Sequence, residues 1–311
     1  MAKTGDFLKE WNNSVYCRVQ KILCRFKVQA SPCHSCEKWG LDAKLAYRTH
    51  EIIVVTLVEL PLLFIAGLSG GILNSIAGGG SFITFPALLF VGIAPVSANA
   101  TNTFASLSGY LSGTFAFRKD LIAHKHELPR FILVSLVGGV AGAWLLLKTP
   151  EAVFREAIPW LLLFATLLFI FGAQLNALLK KLSSSHRHAS SLGRSGLLLL
   201  LLAVCLYGGF FNAGLGIITL SYLALAGHTN INSMNGIKLL VSSCVSLIAV
   251  LLFMLEGVIA WYEGSVVLLG TLLGGYLAAH ASRRLPQKMV RTFVVIASTG
   301  ITLYFFYESY A

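Results

Sequence analysis

The sequence predicts an all-α polytopic membrane protein: two inverted repeats of about five hydrophobic segments each, with broken or short helices near the bilayer midplane. Three observations carry that expectation. Of the 311 residues, 56% are hydrophobic and only 12% charged, with a mean hydropathy of +0.75, whereas soluble domains carry about 25% charged residues. Apolar stretches of roughly twenty residues recur from Ile52 to the C-terminus, the length that spans a hydrocarbon core. Finally, the two halves share motifs at a nearly constant spacing, and their equivalent loops carry opposite charge bias.

In chain order, residues 1–51 form a basic tail without a continuous apolar run, so no cleavable signal peptide is expected. Phe7, Trp11, Val15, Val19, Ile22 and Phe26 fall at helical spacing, with Lys9, Arg18, Lys21 and Arg25 on the other face. Such a helix lies on an anionic leaflet or packs against the cytoplasmic side of the membrane region. Cys17, Cys24, Cys33 and Cys36 also lie here. Only one CxxC is present, so reduced thiols are favoured over a zinc site and no cofactor or metal is expected. The net charge of +11 sits in this tail and a few loops, where membrane topology explains it without nucleic acid.

The first repeat, 52–180, holds segments at about 52–77, 81–93, 98–117, 131–147 and 157–179. A Ser-rich polar stretch, 181–195, reads as a linker. The second repeat, 196–311, holds segments at 196–212, 215–226, 231–255, 266–281 and 290–307. Asn74 matches Asn212 at an offset of 138; then Ser97 matches Ser233, Asn99 matches Asn235, Gly138–Gly139 match Gly274–Gly275, and Pro150 matches Pro286, all at 136. Several matches at one offset point to an internal duplication. The loop at 118–130 is basic and its second-half counterpart at 256–264 is acidic, which places equivalent loops on opposite sides under the positive-inside rule. Strict inversion, however, puts residue 51 outside, against the basic tail before it.

The chemistry is expected at the worst helix formers. Between Leu60 and Phe117 there is no Asp, Glu, Lys or Arg, yet this run contains "NSIAGGGSFITFPALL". Gly78, Gly79 and Gly80 each lower helix stability by about 1 kcal/mol relative to Ala and let backbone approach a ligand. A helix restarting after them presents N–H groups and a dipole that favour an anion, with Ser81 adding a hydroxyl. Asn74 precedes the first break, and Asn212, Gly214 and Gly216 mark the second. The competing explanation is close helix packing by small residues, which suits Gly138, Gly139, Gly142, Gly274 and Gly275.

Lys238 is the only Asp, Glu, Lys or Arg between Arg194 and Glu256, so it is a functional candidate by default, unless it snorkels from a helix end to the headgroups. Asn102 is its partner at offset 136, and Asn235 lies one turn before it. Thr101, Asn99 and Ser242 could line the same space or tie helices together.

The stretch "GGILNSIAGGGSFITFPALLFVGIAPVSANATN", and its weaker echo "GGFFNAGLGIITLSYLALAG", resemble the TauE/SafE (sulfite exporter) family of membrane transporters over roughly residues 60–307. The resemblance implies a multi-pass carrier in the inner (cell) membrane for a small anion such as sulfite, sulfoacetate or another sulfonate. Its partners would be that substrate and the lipid bilayer, with room for a coupling proton or sodium ion and for a homo-oligomer. Two other classes compete. A membrane enzyme using Ser81 with His280 as base rests on four residues, "GGSF", and a non-transporting scaffold subunit leaves the paired breaks unexplained. No Walker A motif is present, so the sequence gives no support for ATP hydrolysis.

Overall fold

The computed structural model describes residues 58–74, 79–185, 191–281 and 287–310. The amphipathic tail, its four cysteines and Gly78 lie outside the described residues, as does the side chain of His280. Eleven helices are described, and no strand among the described residues. They are α1 (Val58–Asn74), α2 (Ser81–Phe90), α3 (Pro95–Ala116), α4 (Arg118–Ile122), α5 (Leu128–Lys148), α6 (Glu151–Ser185), α7 (Ser191–Phe210), α8 (Leu215–Leu225), α9 (Ile231–Leu255), α10 (Trp261–Ala281) and α11 (Gln287–Tyr310). Two of them, α5 and α9, are long and apolar enough to cross a membrane. The polar stretch at 181–195 is helical at both ends, because α6 runs on to Ser185 and α7 starts at Ser191.

Local chemistry explains the boundaries. Pro95 opens α3, where its missing N–H has no intrahelical partner to lose. Asn230 caps α9, its Oδ1 accepting from the N–H groups of Asn232 at 2.9 Å and Ser233 at 3.3 Å. Both short helices end in the same way. At Gly92 (φ +90°) and Gly227 (φ +93°), the next N–H reaches back to the carbonyl five residues earlier, Ile93 to Leu88 and His228 to Leu223. That is a left-handed glycine stop.

The middle of α5 departs from the pattern of a soluble helix bundle. Along the middle of α5 the buried face is small, Ser135, Gly138, Gly139, Gly142 and Ala143, between the larger Phe131 and Leu146 near its ends. Its outer face carries exposed Leu133, Val137, Val140 and Trp144 at helical spacing. Large apolar side chains facing out and small or polar ones facing in suit a lipid solvent. Glycines set the closest approaches. A Cβ on Gly138 would lie 2.5 Å from the Cβ of Cys205, and one on Gly209 would lie 2.5 Å from the carbonyl oxygen of Gly139, so α5 and α7 touch backbone to backbone. The same device joins α1 to α10, where a Cβ on Gly270 would lie 2.5 Å from the carbonyl oxygen of Phe64. Helix α3 packs on α9 and α10, α9 on α3 and α5, and α6 on α8 and α11. Between α6 and α11, Thr166 and Thr302 share a hydroxyl hydrogen bond at 3.2 Å.

One apolar cluster gathers Phe82, Phe85, Phe154, Phe211 and Phe253, with Phe85 edge-on to Phe211 at 5.4 Å between centroids. A second gathers Leu201, Cys205, Leu215, Leu223, Val241 and Val245. The first cluster fixes α2, and the second fixes α8, against long neighbours.

Candidate substrate site

Two chain breaks face one another. Helix α1 stops at Asn74, the chain passes Gly79 at φ +102°, and α2 starts at Ser81. Helix α7 stops at Phe210, the chain passes Gly214 at φ +84°, and α8 starts at Leu215. A positive φ suits glycine and strains other residues, so Gly79 and Gly214 each let the chain turn just before a short helix. In the second break the freed backbone finds partners. Asn99 Nδ2 donates to the carbonyl of Phe210 at 2.9 Å, and the Tyr207 hydroxyl donates to that of Ala213 at 2.8 Å. The N–H of Leu215 donates to the Asn212 carbonyl at 3.2 Å. Backbone groups satisfied by side chains make such a break tolerable inside a membrane.

Between the breaks lies a cavity of about 20 Å³ lined by Asn74, Gly79, Ser81, Tyr110, Asn212, Gly214, Leu215, Gly216, Lys238, Leu239 and Ser242. That volume holds about one or two waters. The first residues of both short helices border it, so two helix N-termini point their partial positive charge at the same space. Lys238 is the one charged residue among those lining it. Its stem passes Gly216, where a Cβ would sit 3.4 Å from Lys238 Cδ. Its Nζ donates to Asn235 Oδ1 at 3.3 Å. No carboxylate forms an ion pair with it among the described residues.

Of the sequence candidates, Asn74, Gly79, Ser81, Asn212, Gly214, Gly216 and Lys238 come together here, with Asn235 against the lysine. Two stand back from the cavity wall. Gly80 packs against the carbonyl of Gly70, where a Cβ would overlap it, so Gly80 allows α2 to approach α1. Asn102 is buried behind Thr84, whose hydroxyl lies 2.5 Å from Asn102 Oδ1 and 3.2 Å from the Gly80 carbonyl. Asn102 Nδ2 and Asn99 Oδ1 are buried without a hydrogen-bond partner among the described residues.

Tyr110, which is not among the sequence candidates, also borders the cavity. Its hydroxyl donates to Asn212 Oδ1 at 3.3 Å, while Asn212 Nδ2 donates to Ser246 Oγ at 3.2 Å. A signal was present. Asn99, Asn102, Ser106 and Tyr110 form a stripe at helical spacing on α3, all of them buried. At offset 136 each has a polar counterpart on α9: Asn235, Lys238, Ser242 and Ser246. Asn212 therefore bridges two residues that are themselves equivalent in the two halves.

The protein-family comparison decides the wider context. Residues 63–305 match the model of the sulfite exporter TauE/SafE family. The chain belongs to that family. It is 29% identical over 262 residues to the probable membrane transporter protein YfcA of Escherichia coli K12, covering 84% of this chain and 94% of that protein. A probable membrane transporter protein of Haemophilus influenzae is 29% identical over 250 residues, covering 80% of this chain and 95% of the relative. A third, the probable membrane transporter protein ORF9 of a Sinorhizobium species, is 30% identical over 247 residues, covering 78% of this chain and 91% of its own. No solved structure gives a significant match. As a member of the TauE/SafE family the chain is a membrane protein of a transporter class, and its relatives' names indicate transport rather than enzymatic catalysis.

Proposed function

We propose that the protein is a multi-pass secondary transporter of the cell membrane. In this reading it exports or exchanges a small anion, sulfite or a sulfonate, by alternating access around the cavity between the two breaks. The observation that carries this reading is the convergence of two helix N-termini and Lys238 on one buried space. Dipoles and an ammonium without a carboxylate partner favour an anion. Ser81, Asn212 and Ser242 supply neutral hydrogen-bonding groups to an oxyanion's remaining oxygens.

Two inverted repeats supply the moving parts. Supporting this, contacts come in exchanged pairs: α5 on α7 and α10 on α1, α6 on α8 and α11 on α2. Residues 136 apart, Thr166 and Thr302, also meet each other, as residues beside a two-fold axis do. Rocking of one repeat against the other about such an axis exposes a midplane site to each side in turn. A proton or sodium ion is the expected coupling ion, and self-association of the whole carrier is compatible with its exposed apolar faces.

The test is flux in proteoliposomes across a panel of sulfite, sulfonates and carboxylates. Uptake of sulfite or a sulfonate that is lost in Lys238→Ala, with the variant still monodisperse, supports the reading. Transport of none of the anions, or unchanged flux in Lys238→Ala, refutes it. Cysteine labelling at 256–264 tests the inversion separately, since cytoplasmic accessibility of that loop contradicts it.

A further inference from the structure

Away from the cavity, three side chains with metal-ligating atoms converge from two distant parts of the chain. His124 and Glu127 lie in the turn between α4 and α5, and His228 lies in the turn between α8 and α9. Their ligating atoms all lie within 4.8 Å of one another. His228 Nε2 is 3.4 Å from one Glu127 carboxylate oxygen, and His124 Nδ1 is 3.7 Å from the other.

These separations discriminate between two kinds of contact. A charge-assisted hydrogen bond between imidazole and carboxylate closes to about 2.7–2.9 Å. Ligands about 2.0–2.2 Å from a tetrahedral zinc ion sit about 3.4 Å from one another. The two histidine–carboxylate separations lie nearer the second pattern, and the ligand atoms as a set stay within 4.8 Å, so a small inward movement would complete the shell. The ligand frame is also held in advance of any ion. The N–H of His124 donates to the Leu121 carbonyl at 2.9 Å, that of Glu127 to His124 at 2.9 Å, and that of His228 to Leu223 at 3.0 Å. Around the site, the His228 ring stands edge-on to His124 at 5.6 Å and against Phe131 at 6.4 Å between centroids. Phe131 is buried, so the pocket is walled on one side, while Glu127 is 49% exposed and leaves the other side open to water.

We infer that His124, Glu127 and His228 form a binding site for a borderline divalent cation of the zinc class, with water in the remaining position. Two imidazoles and one carboxylate suit zinc over magnesium or calcium, which prefer all-oxygen shells. The cluster joins a turn from the first half of the chain to the turn that follows α8. Helix α8 begins at the cavity with Leu215 and Gly216. An ion here would therefore tether the far end of a helix that borders the candidate substrate site.

The test is zinc titration of the detergent-purified full chain against a chromogenic chelator, counting tightly bound equivalents. Any zinc held by the tail cysteines is common to wild type and variants and cancels in the comparison. The site predicts that His124→Ala/His228→Ala binds one equivalent fewer than wild type. It also predicts that Glu127→Gln, a change at an exposed side chain, weakens that equivalent by at least 10-fold. His126→Ala, in the same turn, should change nothing. Equal stoichiometry in wild type and the double variant overturns the inference, and so does an equal loss in His126→Ala. If the double variant is not monodisperse, Glu127→Gln decides alone, and an undiminished affinity in it overturns the site.

Discussion

A single Gly→Ala change at two positions of the same helix should have opposite effects. At Gly209, near the end of α7, an added Cβ would lie 2.5 Å from the Gly139 carbonyl oxygen, 3.0 Å from Gly139 Cα and 3.1 Å from Ala143 N. These neighbours are backbone and cannot swing aside. Relieving the first contact to a tight separation of about 3.2 Å requires α5 and α7 to part by about 0.7 Å. Overpacking of that kind costs about 1–3 kcal/mol, and the gain in helix propensity from Gly to Ala, at most about 1 kcal/mol, is reduced so close to a helix end. Gly209→Ala is therefore expected to lose about 1–2 kcal/mol. At Gly196, in the first turns of α7, nothing lies within 4 Å of the added Cβ, and the propensity gain stands unopposed. The assay is the temperature at which half of the purified protein leaves the monodisperse size-exclusion peak. A fall on the order of 5 °C is expected for Gly209→Ala, with no fall for Gly196→Ala. A Gly209→Ala protein as stable as wild type, or equal losses at both positions, refutes the close-packing argument.

Three further outcomes follow from named contacts. Lys238→Met keeps an unbranched apolar stem beside Gly216 but removes the ammonium; an anion about 4 Å away loses up to about 4 kcal/mol. The half-saturating anion concentration should rise, by at most about 10³-fold, measured as flux against concentration. Asn230→Ala removes the cap that accepts from Asn232 and Ser233, and should lower stability by about 1 kcal/mol, whereas Asn230→Asp should retain it. Thr84→Val takes away the hydroxyl beside the buried Asn102 and leaves another polar atom without a partner, at about 1–3 kcal/mol. Thermal denaturation of these three variants beside wild type checks these values.

Much of the architecture was legible because bilayer physics writes strongly into sequence. The stops at Gly92 and Gly227 and the start of α3 at Pro95, three residues before the expected 98, were not among the sequence expectations, whereas long apolar runs have a local cause. The two breaks were legible for the same reason, since Gly79 and Gly214 occupy backbone conformations that few other residues tolerate. What escaped was tertiary. That Gly80 faces the Gly70 carbonyl while Gly79 borders the cavity depends on the angle at which α2 meets α1, which no local pattern encodes. The polar stripe ending at Tyr110 was periodic in the sequence, yet four polar residues on a membrane helix read equally well as interhelical ties. The histidine–glutamate cluster was hidden altogether, because His228 lies about a hundred residues from its partners and only the fold joins the two turns.

The small size of the cavity has a thermodynamic consequence. At about 20 Å³ it has room for a water or two, so under the proposed function an anion would need a wider arrangement than the one described. Any anion must select or create a wider arrangement, and the affinity measured for it is its intrinsic affinity reduced by the fraction of molecules already open. Substitutions that loosen the contacts of α2 or α8 with their neighbours should then tighten apparent binding while destabilising the empty protein. If the proposed function holds, a carrier so arranged would leak little when empty, because the occupant itself would supply the free energy that widens the path.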